Sequence, residues 1–136
     1  MEEYDDDPDA YIRNDLEESE AETRRRYCMK FVQKLSRKFP NEVAGIVNNF
    51  VNTFQQEYMA NREQQWPKKC SLLNLLITSS ISSYTFRGGA SEINISPETL
   101  FSYIEQLIFP ELQEQEIDNL PILKATCLKF LYMFRN

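Results

Sequence analysis

The sequence predicts an all-α fold in which antiparallel helix pairs stack into an α–α superhelix, and three observations lead there. Apolar residues recur at steps of three and four along several long segments, which is the period of a helix with one buried face. Punctuation is sparse, with 3 Gly and 6 Pro in 136 residues, whereas an all-β domain of this size needs far more turn residues. Helix starts also recur along the chain, at residues 20, 41, 67, 97 and 121 in round terms, so that pairs repeat at intervals of about 45 to 55 residues, near the period of helical-repeat solenoids.

The elements are expected in the following order. Pro8 follows Asp5, Asp6 and Asp7, a proline at the first helical position behind acidic residues, and opens a short helix to about Glu17 with Tyr11, Ile12 and Leu16 as its apolar contacts. Ser19 and Glu22 have the spacing of a capping box for a second helix running to about Arg37, with Cys28, Phe31, Val32, Leu35 and Phe39 as its stripe. Phe39-Pro40 stops it, because a residue before proline avoids the helical region. Asn41 is expected to cap a third helix over about 42–60, whose stripe is Val43, Ile46, Val47, Phe50, Val51, Phe54 and Tyr58. So short a connection makes the two helices antiparallel, stripe on stripe.

A polar stretch, Asn61 to Gln65, leads to a fourth helix over about 67–82. Its leucines and isoleucines cover most of its girth, so it must be covered on several sides. A long loop is expected over Ser83–Ile95, with Arg87-Gly88-Gly89 as a plain surface turn. Ser96-Pro97-Glu98 reads as a cap, a first-position proline and an acidic first turn of a fifth helix that Pro110 interrupts after Phe109. Pro121 opens a sixth, apolar on nearly every side, and the sequence is expected to continue into a further element beyond Asn136. The organisation that follows is an acidic lead and short helix over 1–18, helix pairs over 19–60 and 67–112, and the first helix of a next pair over 119–136. It is a HEAT- or armadillo-like solenoid of about three repeats, in which each repeat buries its face on a neighbour. A closed helical bundle is the alternative.

Composition narrows the chemistry. Histidine is absent, which removes the commonest general base and neutral metal ligand, and no cofactor or metal site is expected. Cys28, Cys70 and Cys127 are far apart and odd in number, and are expected as reduced, buried thiols rather than as a disulfide framework or nucleophiles. Asp5, Asp6, Asp7 and Asp9 lack the glycine and glutamate of a calcium loop. Arg87-Gly88-Gly89 lacks the spacing of a phosphate loop. The formal net charge is −6, unevenly spread. Residues 1–22 carry 11 acidic side chains against Arg13 alone, whereas the rest carries 10 acidic and 14 basic. Such an end disfavours nucleic acid and favours a basic protein partner. Arg24, Arg25 and Arg26 are either paired locally with Glu17, Glu18, Glu20 or Glu22, or form an edge at which arginines grip a partner's carboxylates. No apolar run reaches the length of a bilayer span, and the expectation is a soluble intracellular protein-binding scaffold rather than an enzyme.

Three stretches carry a family resemblance: DDPDAYIRNDLEESEAETRRR, ending at Arg26; FVNTFQQEYMANREQQWPKKCSLLNLL, Phe50 to Leu76; and LPILKATCLKFLYMFRN, Leu120 to Asn136. They resemble the middle of the exportin-2 family, a branch of the importin-beta karyopherins that returns importin-alpha to the cytoplasm. Cys70, after Pro67-Lys68-Lys69, and Thr126, after Leu123-Lys124-Ala125, depart from the family pattern, which usually has acidic residues there. The resemblance implies a central piece of a much longer HEAT-repeat receptor, shuttling between nucleus and cytoplasm, that wraps the GTP form of Ran together with importin-alpha. It implies that the acidic lead is an insertion that contacts partners or sets curvature, with Asp15, Glu17, Arg24 and Arg25 as the expected partner or hinge contacts. Taken by itself, the piece is expected to bind weakly and to self-associate through uncapped ends. The alternative is a helical-repeat adaptor of another system, of vesicle-coat or phosphatase-scaffold type.

Overall fold

A computed structural model describes residues 7–16, 24–116 and 118–136. The described chain is mostly helical, as expected. Helix α1 spans Pro8–Leu16, α2 Arg24–Lys38, α3 Pro40–Ala60 and α4 Arg62–Ser80. Two short strands follow, β1 Ile81–Tyr84 and β2 Ala90–Ile93. Then come α5 Pro97–Tyr103, a π-helical turn Ile104–Ile108, α6 Phe109–Leu112 and α7 Pro121–Met133. The Ser19–Glu22 capping box lies outside the described residues.

Helix boundaries follow local chemistry, in places differently from the expectation. Between α2 and α3 the chain turns on Phe39 alone, and Pro40, not Asn41, opens α3, since proline presets the helical φ and lacks only an N–H that would be unpaired there. The stretch 61–65 is not a linker. Asn61 accepts a hydrogen bond from the Gln64 N–H and starts α4 at Arg62, placing Pro67 inside the helix, where it removes only the bond to the Glu63 carbonyl. Pro110 does not end the fifth helical segment. The backbone widens just before it, with Phe109 N–H reaching the Ile104 carbonyl, and this π turn relieves the clash a proline ring makes with the carbonyl four residues back. Leu120, ahead of Pro121, is left-handed at φ 51° and ψ 57°, a conformation costing roughly 1–2 kcal/mol for a residue with a Cβ.

The expected loop over Ser83–Ile95 holds a β-hairpin. Strands β1 and β2 pair antiparallel, with Ile81 opposite Ile93 and Tyr84 opposite Ala90. Arg87-Gly88-Gly89 forms the turn between them, Gly88 taking φ 82°. Strand alternation is hidden here because the strands are short and serine-rich, and the hairpin is supported from outside. Gln33 donates to the Tyr84 hydroxyl, Arg37 donates to the Ser82 carbonyl at 2.6 Å, and the end of α7 grips the tip.

Helix α4 is the centre of the packing. It lies against α3, α7 and α2, and its Leu72, Leu73, Leu76 and Ile77 are buried, as its all-round apolar girth requires. Helix α7 contributes Ile122, Leu123, Cys127, Phe130 and Met133, and Val47 and Tyr58 of α3 complete this part of the core. Helix α1 packs on α7 through Ile12. Several expected core positions are not covered among the described residues. Phe31 is 63% exposed, Ile46 56% and Leu128 58%, because α2, α3 and α7 each have one neighbour too few to cover a second face. Cys28 is exposed for the same reason, contrary to the expectation that all three thiols are buried, whereas Cys70 and Cys127 are buried.

Candidate functional site

Three regions bring polar side chains together among the described residues. The first is buried and joins α3, α4 and α6. Tyr58, fully buried on α3, donates its hydroxyl to Glu111 Oε1 at 2.7 Å and accepts from Arg62 Nε at 2.9 Å. Lys69 Nζ, itself buried, also reaches Glu111 Oε1 at 2.9 Å and sits 4.5 Å from the centre of the Tyr58 ring. Arg62 Nη2 takes the other Glu111 oxygen at 2.9 Å and lies 3.6 Å from Glu114. Glu114 in turn accepts from Lys124 at 3.1 Å and from Asn119 at 2.9 Å, tying the start of α7 to the same cluster. Both Glu111 oxygens are therefore paired, which is the condition under which a carboxylate survives burial.

The charges are tuned accordingly. Burial pushes the Glu111 carboxyl up, but hydrogen bonds from Lys69 and Tyr58 and the charges of Lys69 and Arg62 outweigh it and hold it below its ordinary value. Hydrogen bonds from Asn119 and Lys124 lower Glu114. Burial raises the Tyr58 hydroxyl, and the hydrogen bond to Tyr58 raises Arg62. These shifts keep Glu111 and Glu114 ionised, Tyr58 protonated and Arg62 charged. The cluster is built as a bracket between helices, and it has no poised acid or base.

The second region is a groove of about 290 Å³ between α2 and α4. Arg25, Cys28, Met29 and Val32 line it from α2, and Cys70, Asn74, Leu75 and Thr78 from α4. Asn74 Oδ1 and Thr78 Oγ1 are buried there without a hydrogen-bond partner. A hydroxyl-rich groove of about 300 Å³ lies between α3, the end of α4 and the segment leading into α5, spanned by Tyr103 donating to Asn48 Oδ1 at 3.0 Å. Among the described residues no group of three or more His, Cys, Asp or Glu is placed to hold a metal ion, and no helix is long and apolar enough to cross a membrane.

Of the residues singled out from the sequence, Arg24 and Arg25 are exposed in the first turn of α2, and Arg25 borders the α2–α4 groove. Asp15 lies on the backbone of α1 with its side chain outside the described residues, and Glu17 lies outside them altogether, as do Glu18, Glu20 and Glu22. Among the described residues, the structure therefore shows Arg24 and Arg25 on one exposed helix turn. The buried bracket was not legible beforehand, because Glu111 lies 53 residues from Tyr58 and 42 from Lys69. One signal was present: Lys69 falls at helix steps of three, four and seven before Leu72, Leu73 and Leu76, and a lysine on that apolar face needs a partner. The two positions that depart from the resembled pattern also meet, since the Thr126 hydroxyl approaches Cys70 Sγ at 3.7 Å between α7 and α4.

A sequence model of the Cse1 family matches residues 1–136. Similar curated proteins named Exportin-2 come from Dictyostelium discoideum (35% identical over 135 residues), Mus musculus (32% over 133) and Drosophila melanogaster (31% over 137). In each case the match covers 98% of this chain and 14% of the relative, so the chain spans about one-seventh of the length of these relatives. No solved structure matches.

Proposed function

Since the chain belongs to the Cse1 family, we propose that it works as part of a nuclear export receptor, a protein-binding scaffold that carries importin-alpha out of the nucleus together with the GTP form of Ran. The observation that carries this reading is the match over the whole chain, at 30–35% identity, to proteins named Exportin-2. The fold supports it. Helices packed in sequence around α4, with exposed apolar residues on α2, α3 and α7, suit an element that sits among further helices and contacts partners through surface complementarity. The buried bracket supports a stiff joint between the helix pairs. The site chemistry holds no poised acid, base or nucleophile among the described residues, which favours binding over catalysis. Nucleotide chemistry on this reading belongs to Ran, and the receptor shuttles between nucleus and cytoplasm. Asp15, Glu17, Arg24 and Arg25 are the proposed partner or hinge contacts, with arginines gripping carboxylates.

The test is a pull-down of importin-alpha by the full-length parent protein, with and without GTP-loaded Ran. Enhancement by Ran supports the reading and excludes an adaptor of the vesicle-coat or phosphatase type; retention that ignores Ran refutes it. Charge reversal at the four residues should weaken the ternary complex at least tenfold, and unchanged affinity would remove them from the interface while leaving the broader reading standing.

A further inference from the structure

The hairpin tip has a different construction from the other loops. Its turn is closed by Thr85 N–H donating to the Gly89 carbonyl at 2.7 Å and Gly88 N–H donating to the Thr85 carbonyl at 3.0 Å. It is then gripped from the end of α7. The Tyr132 hydroxyl and Arg135 Nη2 both donate to the Arg87 carbonyl, at 2.9 and 3.4 Å, and Asn136 donates to the Ala90 carbonyl at 3.2 Å. The Arg135 guanidinium stacks 3.9 Å over the Tyr132 ring and lies so close to Gly89 that a Cβ there would stand 2.7 Å from it. These contacts hold the tip in one conformation before any partner arrives.

What the tip holds up is an aromatic side chain in open water. Phe86 is fully exposed (107%), and Tyr84 and Tyr132 of the same assembly are 39% and 50% exposed. A single exposed apolar residue is unremarkable, but here the backbone that carries it is held by hydrogen bonds on its neighbour Arg87, with Tyr132 one of the donors. Arginines also touch this hairpin, Arg135 at the tip and Arg37 at Ser82, and Arg87 is part of the turn. Arg37, Arg87 and Arg135 are exposed, and among the described residues none of them forms an ion pair with a carboxylate. The acid of the hairpin, Glu92, accepts a hydrogen bond from Ser83 at 3.1 Å. Aromatic and arginine side chains are the residues that most often dominate binding energy at interfaces, and a pre-ordered loop loses little entropy on binding.

We infer that this hairpin is a docking point for an acidic peptide segment carrying apolar side chains, with Phe86 receiving an apolar side chain and Arg87 and Arg135 taking carboxylates. Charge selects the occupant, because arginines that form no ion pair among the described residues favour carboxylates, and exposed Phe86 adds a preference for apolar neighbours. The proposal goes beyond the export reading and stands or falls separately from it.

The test uses fluorescein-labelled 12-residue peptides added to the full chain and read by fluorescence anisotropy at physiological salt. One peptide alternates Glu with Leu, and a charge-matched one alternates Glu with Ser. A single-stranded RNA oligomer is the third probe. The Glu/Leu peptide should bind at least tenfold more tightly than the other two. Phe86→Ser should weaken it about tenfold, and Arg87→Glu should abolish it. Neither side chain supports the fold, and an unchanged thermal melt of each variant confirms that. The inference is overturned if the Glu/Leu peptide does not bind, if the Glu/Ser peptide binds equally well, if RNA binds more tightly, or if Phe86→Ser leaves affinity unchanged.

Discussion

Replacing Glu111 by glutamine should be among the most damaging single changes in this protein. The substitution keeps the size of the side chain and one carbonyl oxygen, but removes the carboxylate that pairs with Lys69 Nζ among the described residues. The Lys69 side chain is 1% exposed, so its cation is left facing the Tyr58 ring at 4.5 Å and no water. Breaking a buried pair by removing one partner costs about 3–5 kcal/mol, and glutamine, which can still accept one hydrogen bond, should fall near about 3 kcal/mol. Against a total stability of about 5–15 kcal/mol this is a large fraction, and it corresponds to a fall in melting temperature of roughly 10–15 °C for a chain of this size. Thermal and urea denaturation followed by far-UV circular dichroism would measure it. The pair Lys69→Met and Glu111→Leu made together should recover to within about 2 kcal/mol of the unmodified protein, because an apolar pair no longer strands a charge. The reasoning is refuted if Glu111→Gln loses less than about 1 kcal/mol, or if the double variant is worse than either single change.

The same cluster sets the acid limb of stability: the Glu111 and Glu114 carboxyls are held below their ordinary value of 4.5, so the stabilisation is fully present above about pH 4.5 and is lost as pH falls through their lowered values, and a pH series of urea melts on Glu111→Gln should show a shallower acid slope. Burial pushes the Cys127 thiol up to about 12, so under native conditions maleimide should label exposed Cys28 within minutes and spare Cys127 until denaturant is added, as mass spectrometry of quenched samples would show. Gly88→Ala should cost roughly 1 kcal/mol in a denaturant melt, because φ 82° is strained for any residue with a Cβ, although open space surrounds the site. Light scattering of the 136-residue chain should show association rising with concentration, driven by exposed Phe31, Ile46 and Leu128, and a strict monomer at high concentration would contradict it.

Sequence periodicity by itself determined the helical class and the need to cover α4 on several sides. These follow from which residues must leave water, and the 3.6-residue period writes that into neighbouring positions. The prolines at 8, 97 and 121 likewise marked helix starts, since their effect is local. Family membership was legible in the order of three motifs along the chain. Tertiary structure alone decided the rest. Cys28 and Phe31 belong to an apolar stripe by period but stay exposed, because burial depends on which helix arrives opposite. The hairpin was hidden because its short, serine-rich strands are held by Gln33, Arg37 and the end of α7. The bracket of Tyr58, Lys69, Arg62 and Glu111 was hidden because its members are drawn from three helices, and only packing decides which distant carboxylate meets a lysine set in an apolar face.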